Sequence, residues 1–138
     1  MKILLCNFSA VYGGQEVFLA NFSKLISKNF PNSIVHFRGL PNEIQSRGEF
    51  SLEDNFAHYD IVFLNGIRAA RIEVKNLIRN RRSRFIYIHH SDLLDAQEGY
   101  FRIVPRLLFL IFVSLLSSRV IYISGKNRWF FRFFKDAL

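Results

Sequence analysis

The stretch "KILLCNFSAVYGGQEVFLANFSKLI", residues 2–26, contains the local signals that decide the fold. It begins with the apolar run KILLC, residues 2–6, whose length and composition predict a buried strand. Apolar side chains then recur at helical spacing, which predicts a helix over residues 15–28. Gly13 and Gly14 stand between the two elements. A strand, a glycine turn and a helix in this order form the first half of a strand–helix–strand unit.

The same alternation continues along the rest of the chain. Further apolar runs predict strands over residues 33–37, 59–65, 85–90 and 119–124. Helical spacing predicts helices over residues 67–79, 100–117 and 126–135. The polar segment 38–56 is interpreted as a loop with one short strand near Phe50. This pattern predicts a single α/β domain over residues 1–138, with about five strands and four helices layered around a mainly parallel sheet.

Composition agrees with a packed domain that binds anions. Half of the 138 residues are hydrophobic, which is enough for one sizeable core and argues against disorder. The formal charge of +8 favours nucleic acid, an anionic membrane face or a phosphorylated ligand as the partner. Nucleic acid is the weakest of these three, because no recognised nucleic-acid-binding motif accompanies the charge.

The sequence also indicates the cellular compartment in which the protein acts. Its single cysteine, Cys6, lies inside the first apolar run, so no disulfide framework can form within the chain and a reducing, cytoplasmic compartment is expected. No signal peptide is evident at the first residues. The most apolar segment, residues 107–118, is shorter than the ~20 residues that a spanning helix needs. It is interpreted as a buried or interfacial helix.

The predicted strand ends indicate where a ligand would bind. In open parallel sheets the binding crevice lies at the carboxyl ends of the strands, near the point where the strand order reverses. The residues at these ends are Gly13, Gly14, Asn65, Gly66, His89, His90 and Ser124. We therefore expect Asn65 and Ser124 to line the crevice together with Gly13 and Gly14.

Gly13 and Gly14 admit two interpretations. Glycine lets a ligand approach the backbone closely. The start of the following helix offers unpaired N–H groups and a positive dipole end, which suit a phosphate. The alternative is a plain tight turn. Neither the GxGxxG dinucleotide fingerprint nor a Walker A loop is present to decide between the two.

His89 and His90 are adjacent on a predicted strand, so their side chains point to opposite faces. They are therefore poor partners for one metal ion, and no cluster of cysteines or paired carboxylates in the sequence supports a metal site. One of them, facing the crevice, would bind a sugar hydroxyl or a phosphate, or transfer a proton. The alternative is a structural pair in which one histidine is buried and the other is exposed.

The last predicted helix, residues 126–135, combines basic and aromatic side chains. Arg128, Arg132 and Lys135 recur at intervals of four and three residues, and Trp129 lies beside a face of phenylalanines. A helix of this composition lies in the interface of an anionic membrane, or it packs on a core and keeps its basic face in solvent. The sequence leaves both interpretations open.

The order of these motifs resembles the N-terminal half of a GT-B glycosyltransferase of the large, retaining "glycosyl transferase family 4-like" group. The matching elements are KILLCNFSAVYGGQEVFLANFSKLI, YDIVFLNG, RFIYIHHSD and SRVIYISGKNRWF. Each motif alone is degenerate, and their order over nearly the whole chain carries the resemblance. It implies a Rossmann-like three-layer domain on the acceptor side of the enzyme.

The resemblance also implies roles for individual residues. Gly13 and Gly14 would lie near the diphosphate of a sugar nucleotide, and Glu16 would help to shape their turn. His89 or His90 would lie beside the transferred sugar. The sugar nucleotide is a donor substrate, so the resemblance implies neither a cofactor nor a metal.

A complete enzyme of this group has a second Rossmann-like domain, which binds most of the sugar nucleotide and carries an acidic Ex7E-type motif. The sequence has no room for it, so we expect a fragment, a split subunit or a remnant that is inactive without a donor-binding domain or second chain. The acceptor would be a glycan or a lipid-linked saccharide at the cytoplasmic face of a membrane. The alternatives are a non-catalytic interaction or membrane-associating module and a small nucleotide-binding α/β protein, which would bind a nucleotide without any partner.

Overall fold

The computed structural model describes residues 1–8, 14–39, 49–50, 56–80, 83–90 and 100–123. The strands in these ranges are β1 (Lys2–Cys6), β2 (Ile34–Arg38), β3 (Glu49–Phe50), β4 (Ile61–Asn65), β5 (Arg84–His89) and β6 (Arg119–Tyr122). The α-helices in the same ranges are α1 (Gly14–Asn29), α2 (Gly66–Ile72), α3 (Val74–Arg79) and α4 (Tyr100–Leu116). A 3₁₀ turn, Phe56–His58, precedes β4.

The strands form one sheet in the order β3-β2-β1-β4-β5-β6, and every neighbouring pair is parallel. β1 is central, because Leu5 pairs with Phe37 of β2 on one side and with Phe63 of β4 on the other. The chain builds one half of the sheet outward from β1 and then returns to build the other half from β4. The strand order therefore reverses between β1 and β4. This is the α/β, Rossmann-like three-layer arrangement that the sequence predicts.

Each face of the sheet buries its own core. One core packs strand side chains against α2, α3 and α4, whose buried members are Ala69, Ala70, Leu77, Leu110 and Val113. The other packs strand side chains against Leu19 and Ile26 of α1. Leu4 and Leu5 are adjacent on β1 and belong to different cores, because successive side chains of a strand point to opposite faces. Helices cover both faces of the sheet, which explains the nearly continuous apolar strands.

The structure divides one predicted helix. The helix predicted over residues 67–79 is observed as α2 and α3, which meet at Glu73 (φ −93°, ψ 9°). The backbone N–H of Glu73 still donates to the carbonyl of Ala69 at 3.0 Å, so the hydrogen-bond ladder continues through the junction. The carboxylate of Glu73 is buried and lies 2.8 Å from Nε of Arg38 in β2. The ion pair ties the junction between α2 and α3 to β2.

The other predicted elements agree closely with the structure. The predicted ends of the strands β1, β2, β4, β5 and β6 lie within two residues of those observed. The short strand near Phe50 is β3, which pairs with β2. The predicted helix 126–135 lies outside the described residues. In the part of the chain that the structure describes, no helix combines the length and the apolar character needed to cross a membrane.

Candidate functional site

The carboxyl ends of β1, β4 and β5 meet the first turn of α1 at one edge of the sheet. The strand order reverses between β1 and β4, so this edge is where parallel sheets bind ligands. Four polar residues come together there, and we call them the polar cluster: Asn7, Glu16, Asn65 and His90. Each of them lies at a strand end or in the first turn of α1.

Asn7 and Glu16 join the end of β1 to the start of α1. The Nδ2–H of Asn7 donates to Oε1 of Glu16 at 2.7 Å, and each residue is only 1% exposed. A hydrogen bond to a carboxylate that is shielded from water is stronger than one at the surface. The pair therefore fixes the first turn of α1 against β1.

Asn65 and His90 join the end of β4 to the end of β5. Nε2 of His90 is hydrogen-bonded to Oδ1 of Asn65. An amide oxygen only accepts hydrogen bonds, so Nε2 carries the hydrogen, and Nδ1 of the neutral ring is left as an acceptor. Nδ2 of Asn65 is buried and has no hydrogen-bond partner among the described residues. Most buried polar groups are paired, so within the described ranges this amide is a donor available for a further hydrogen bond.

Burial sets the charge of His90. Its ring is partly buried, and the ring of Phe18 meets it edge-on with the centroids 5.2 Å apart. Burial lowers the pKa of His90 below its usual value, and the nearby Glu16 carboxylate acts in the opposite direction. Because burial is the larger effect, the imidazole is neutral at pH 7. His90 therefore acts through hydrogen bonds and not as a cation.

His89 lies on the other side of the same strand. It is 1% exposed, and its Nδ1 lies 3.0 Å from the hydroxyl of Tyr87. Tyr87 belongs to the core beneath α2, α3 and α4, where burial raises its pKa. The two histidines thus point to opposite faces, and His90 is the one in the polar cluster. The catalytic roles predicted for His89 and His90 stay predictions.

Two glycines shape the backbone beside the polar cluster. Gly66 turns the chain from β4 into α2 with φ 82°, a conformation that suits glycine. A Cβ added to Gly66 would lie 3.6 Å from Oε1 of Gln15, so this turn and the start of α1 are side by side. Gly14 is exposed, and a Cβ added there would meet nothing within 4 Å. Among the described residues, none therefore fills the space beside the first residue of α1.

Several predicted site residues lie outside the described part of the chain: Gly13, Ser124, Arg128, Trp129, Arg132 and Lys135. Their roles stay predictions. The sequence interpretation in turn overlooked Asn7 and Phe18. A polar residue directly after an apolar strand marks the sheet edge and was a signal for Asn7. Phe18 had no such signal, since its spacing fits the apolar face of a helix equally well.

The described residues of this site form no metal-binding group, and the comparisons with known proteins assign it no family. Within the described ranges, no three His, Cys, Asp or Glu residues form a group that could hold a metal ion. No protein-family model and no curated protein matches the sequence. The geometry of the polar cluster and its place in the sheet are therefore the basis for a functional proposal.

Proposed function

We propose that this domain forms the acceptor-side wall of a glycosyltransferase cleft and contacts the phosphate and the sugar of a nucleoside-diphosphate sugar. The observation that carries the proposal is the polar cluster at the reversal of strand order, beside the N-terminus of α1. A sugar phosphate requires donors for its phosphate oxygens and both donors and acceptors for its hydroxyls. A donor-binding domain or a second chain would supply the opposite wall.

The N-terminus of α1 is suited to the phosphate. Its first N–H groups have no partner inside the helix, and the helix dipole places partial positive charge at that end. Gly14 leaves the backbone accessible. During transfer, the bond between the anomeric carbon and the phosphate oxygen breaks, and the nucleoside diphosphate leaves with the electron pair. The N–H groups of α1 would stabilise the negative charge that develops on this leaving group.

The pair of His90 and Asn65 is suited to the sugar. Nδ1 of the neutral His90 ring would accept a hydrogen bond from a sugar hydroxyl, and Nδ2 of Asn65 would donate one. Asn65 also holds the imidazole through Nε2, so the ring is oriented before the ligand arrives. The pair of Asn7 and Glu16 would act indirectly, by holding α1 in place.

The proposal includes a cellular setting. Cys6 is a buried free thiol, which suits the reducing conditions of the cytoplasm, where we expect this domain to act. The acceptor would be a glycan or a lipid-linked saccharide, and nucleic acid is not part of the proposal. The isolated chain should transfer little or no sugar, because the opposite wall would make most of the contacts to the nucleotide.

Amide-resolved NMR titration of the isolated chain with UDP-glucose, UDP and glucose tests the proposal. The first two ligands should shift the resonances of Gly14, Asn65 and His90, because both carry the diphosphate. Gly14→Asp should weaken UDP-glucose binding about tenfold, since it places a carboxylate at the phosphate position. The matched control is Asn21→Asp, which adds the same charge at an exposed position about two turns further along α1.

Three results would contradict the proposal. The first is that no nucleoside diphosphate shifts the resonances of the polar cluster. The second is that Gly14→Asp and Asn21→Asp weaken binding equally, which would indicate a nonspecific charge effect. The third is that glucose and UDP-glucose bind equally well, which would remove the phosphate from recognition. Any of them would favour a non-catalytic interaction module instead.

A further inference from the structure

Helix α4 exposes apolar side chains on the side that faces away from the sheet. The side chains of Val104, Leu108, Phe112 and Leu115 recur at intervals of four, four and three residues, which places them on one side of the helix. All four are exposed, with Leu108 at 62% and Leu115 at 59%. We call these four residues the apolar stripe. It runs for about 16 Å along the helix at 1.5 Å per residue.

The inner side of α4 buries Leu110 and Val113 of the core together with two serines, Ser114 and, directly after the helix, Ser117. Ser114 and Ser117 are buried at 0% exposure, against the core. Their hydroxyls donate to the carbonyls of Leu110 and Val113, at 2.6 and 2.7 Å, so both are satisfied within the helix. A helix that only covers a sheet in water has polar side chains on its outer side, whereas the outer side of α4 exposes Val104, Leu108, Phe112 and Leu115. The outer side of α4 therefore has the composition of a buried surface.

Basic residues surround the apolar stripe. Exposed cations lie on the neighbouring α2 and α3, and we call them the basic flank: Arg68, Arg71, Lys75 and Arg79. The guanidinium of Arg71 lies 5.6 Å from the ring centroid of Phe109, which places this residue of the basic flank against α4. The sequences of α2, α3 and α4 and their junction contain one acidic residue, Glu73, and it is buried against Arg38. Negative charge is thus absent from the exposed surface of these helices.

We propose that the outer surface of α2, α3 and α4 binds an anionic membrane, with the apolar stripe inserted among the lipid headgroups and the basic flank against their phosphates. Charge complementarity selects this partner, because a water-facing apolar stripe beside several cations, on helices that expose no acid, is the pattern of an interfacial helix. α4 would lie in the plane of the surface, since the described helices cannot cross a bilayer. This inference does not depend on the proposed transferase function.

Vesicle flotation of the purified full chain tests the inference. The vesicles contain either phosphatidylcholine alone or phosphatidylcholine with about 30% phosphatidylglycerol. The protein should float with the anionic vesicles at about 0.1 M salt, and much less with neutral vesicles or at about 0.5 M salt. Failure to bind the anionic vesicles at the lower salt concentration would overturn the proposal.

Two pairs of variants separate the apolar and basic contributions. Leu108→Gln with Leu115→Gln should lower the partition coefficient by about tenfold or more, since it removes apolar area from the inserted side. The matched control is Val17→Gln with Leu25→Gln, which changes two exposed apolar residues of α1 on the opposite layer of the domain. This control should bind like the wild type. Circular dichroism would verify that both variants are folded.

The second pair reverses charge. Arg71→Glu with Lys75→Glu should lower the partition coefficient by about 25-fold or more, since each cation near an anionic surface contributes about fivefold. Lys24→Glu with Lys28→Glu makes the same charge change at exposed positions of α1 and should have a much smaller effect. Equal losses from both pairs would indicate nonspecific adsorption and overturn the proposal.

Two further results would point to a different partner for α4 or to a different membrane-binding segment. Self-association in solution that is lost in the Leu108→Gln, Leu115→Gln variant, without vesicle binding by the wild type, would identify a second copy of the chain as the partner. Vesicle binding that is abolished by Arg128→Glu with Arg132→Glu, and is insensitive to the α4 variant, would assign the contact to residues 126–135. Either result would overturn the role of α4.

Discussion

At the residue scale, His90 couples the polar cluster to pH. Its pKa is lowered chiefly by burial, so the folded protein binds a proton at His90 less readily than the unfolded chain, whose His90 titrates near 6.5. Below that pH the unfolded state takes up more protons, and the free energy of unfolding should decrease as the pH falls. Above that pH, the neutral His90 makes its full contribution to the free energy of unfolding. The folded state is therefore favoured when His90 is neutral.

Urea denaturation at about pH 7.5 and about pH 5.5 measures this effect. His90→Gln should lose less stability than the wild type between the two pH values, because glutamine does not titrate. His58→Gln removes an exposed histidine from the turn before β4 and serves as the control, which should lose as much stability as the wild type. If His90→Gln and the wild type lost the same amount, another group would be responsible for the pH dependence.

The sequence predicts individual site residues where their signal is local. Asn65 and the histidine pair follow apolar strands, and a strand end in a parallel sheet is a ligand position whatever the rest of the fold. Which histidine joins the polar cluster was not predictable, since it depends on which face of β5 is packed against α4. The ion pair of Arg38 and Glu73 was hidden for a similar reason, because its partners belong to β2 and the junction of two helices.

At the element scale, two glycines in the described ranges have a positive φ and mark turns that no other residue type fits as well. Gly39 follows β2 with φ 76°, and Gly66 is the first residue of α2 with φ 82°. Their surroundings differ, because a Cβ on Gly39 would lie 2.6 Å from the backbone oxygen of Asn7, whereas a Cβ on Gly66 makes only ordinary contacts. Gly39 therefore has both a conformational and a steric requirement, and Gly66 has only the first.

Alanine substitutions at three glycines should give a graded loss of stability. Gly66→Ala should lower the free energy of unfolding by about 1–2 kcal/mol from backbone strain alone. Gly39→Ala should cost about 3 kcal/mol or more, because the new Cβ also collides with the backbone and with Phe8. Gly14→Ala, in open space at the start of α1, should change stability by less than about 1 kcal/mol. Urea denaturation measures all three, and an equal loss at Gly39 and Gly66 would contradict the steric argument.

The sequence predicts that α4 is apolar, but not which of its sides is buried. Its length and apolar composition predict a buried or interfacial helix, and the structure shows one that is buried on one side and apolar on both. Hydropathy alone does not separate the two sides, because leucines lie on both of them. The serines of the inner side, Ser114 and Ser117, would be assigned to solvent by composition, yet both are buried. Their hydrogen bonds to their own helix remove the cost of that burial.

At the scale of the whole molecule, the alternation of strands and helices was sufficient to predict the layers of the fold. Each strand–helix–strand unit has a fixed hand and returns the chain parallel to itself, so few arrangements of the sheet remain. The reversal between β1 and β4 then assigns the ligand edge without any motif. What this edge binds was not predictable in the same way, because it depends on side chains that the fold leaves free to vary.

The whole-molecule arrangement also predicts that the two proposed surfaces act independently. Gly14 belongs to α1, which packs on one face of the sheet, and the apolar stripe belongs to α4, which packs on the other. Gly14→Asp should therefore impair UDP-glucose binding and leave vesicle flotation unchanged, and Leu108→Gln with Leu115→Gln should do the reverse. Substitutions at separate sites without shared partners have additive effects, so the combined variant should show both losses at their single-variant sizes.

If the two surfaces are independent, neither ligand should change the affinity for the other. Any coupling between the two binding equilibria would be reciprocal, so it can be measured from either side. We expect anionic vesicles to change the affinity for UDP-glucose by less than about threefold, and UDP-glucose to change vesicle binding by no more than the same factor. Equilibrium dialysis of labelled UDP-glucose with and without vesicles measures the first quantity, and flotation with and without the nucleotide measures the second. A larger, equal change in both would show that the sheet transmits an effect from one face to the other. The membrane surface would then regulate the polar cluster, and the two faces could not be treated as separate sites on a rigid scaffold.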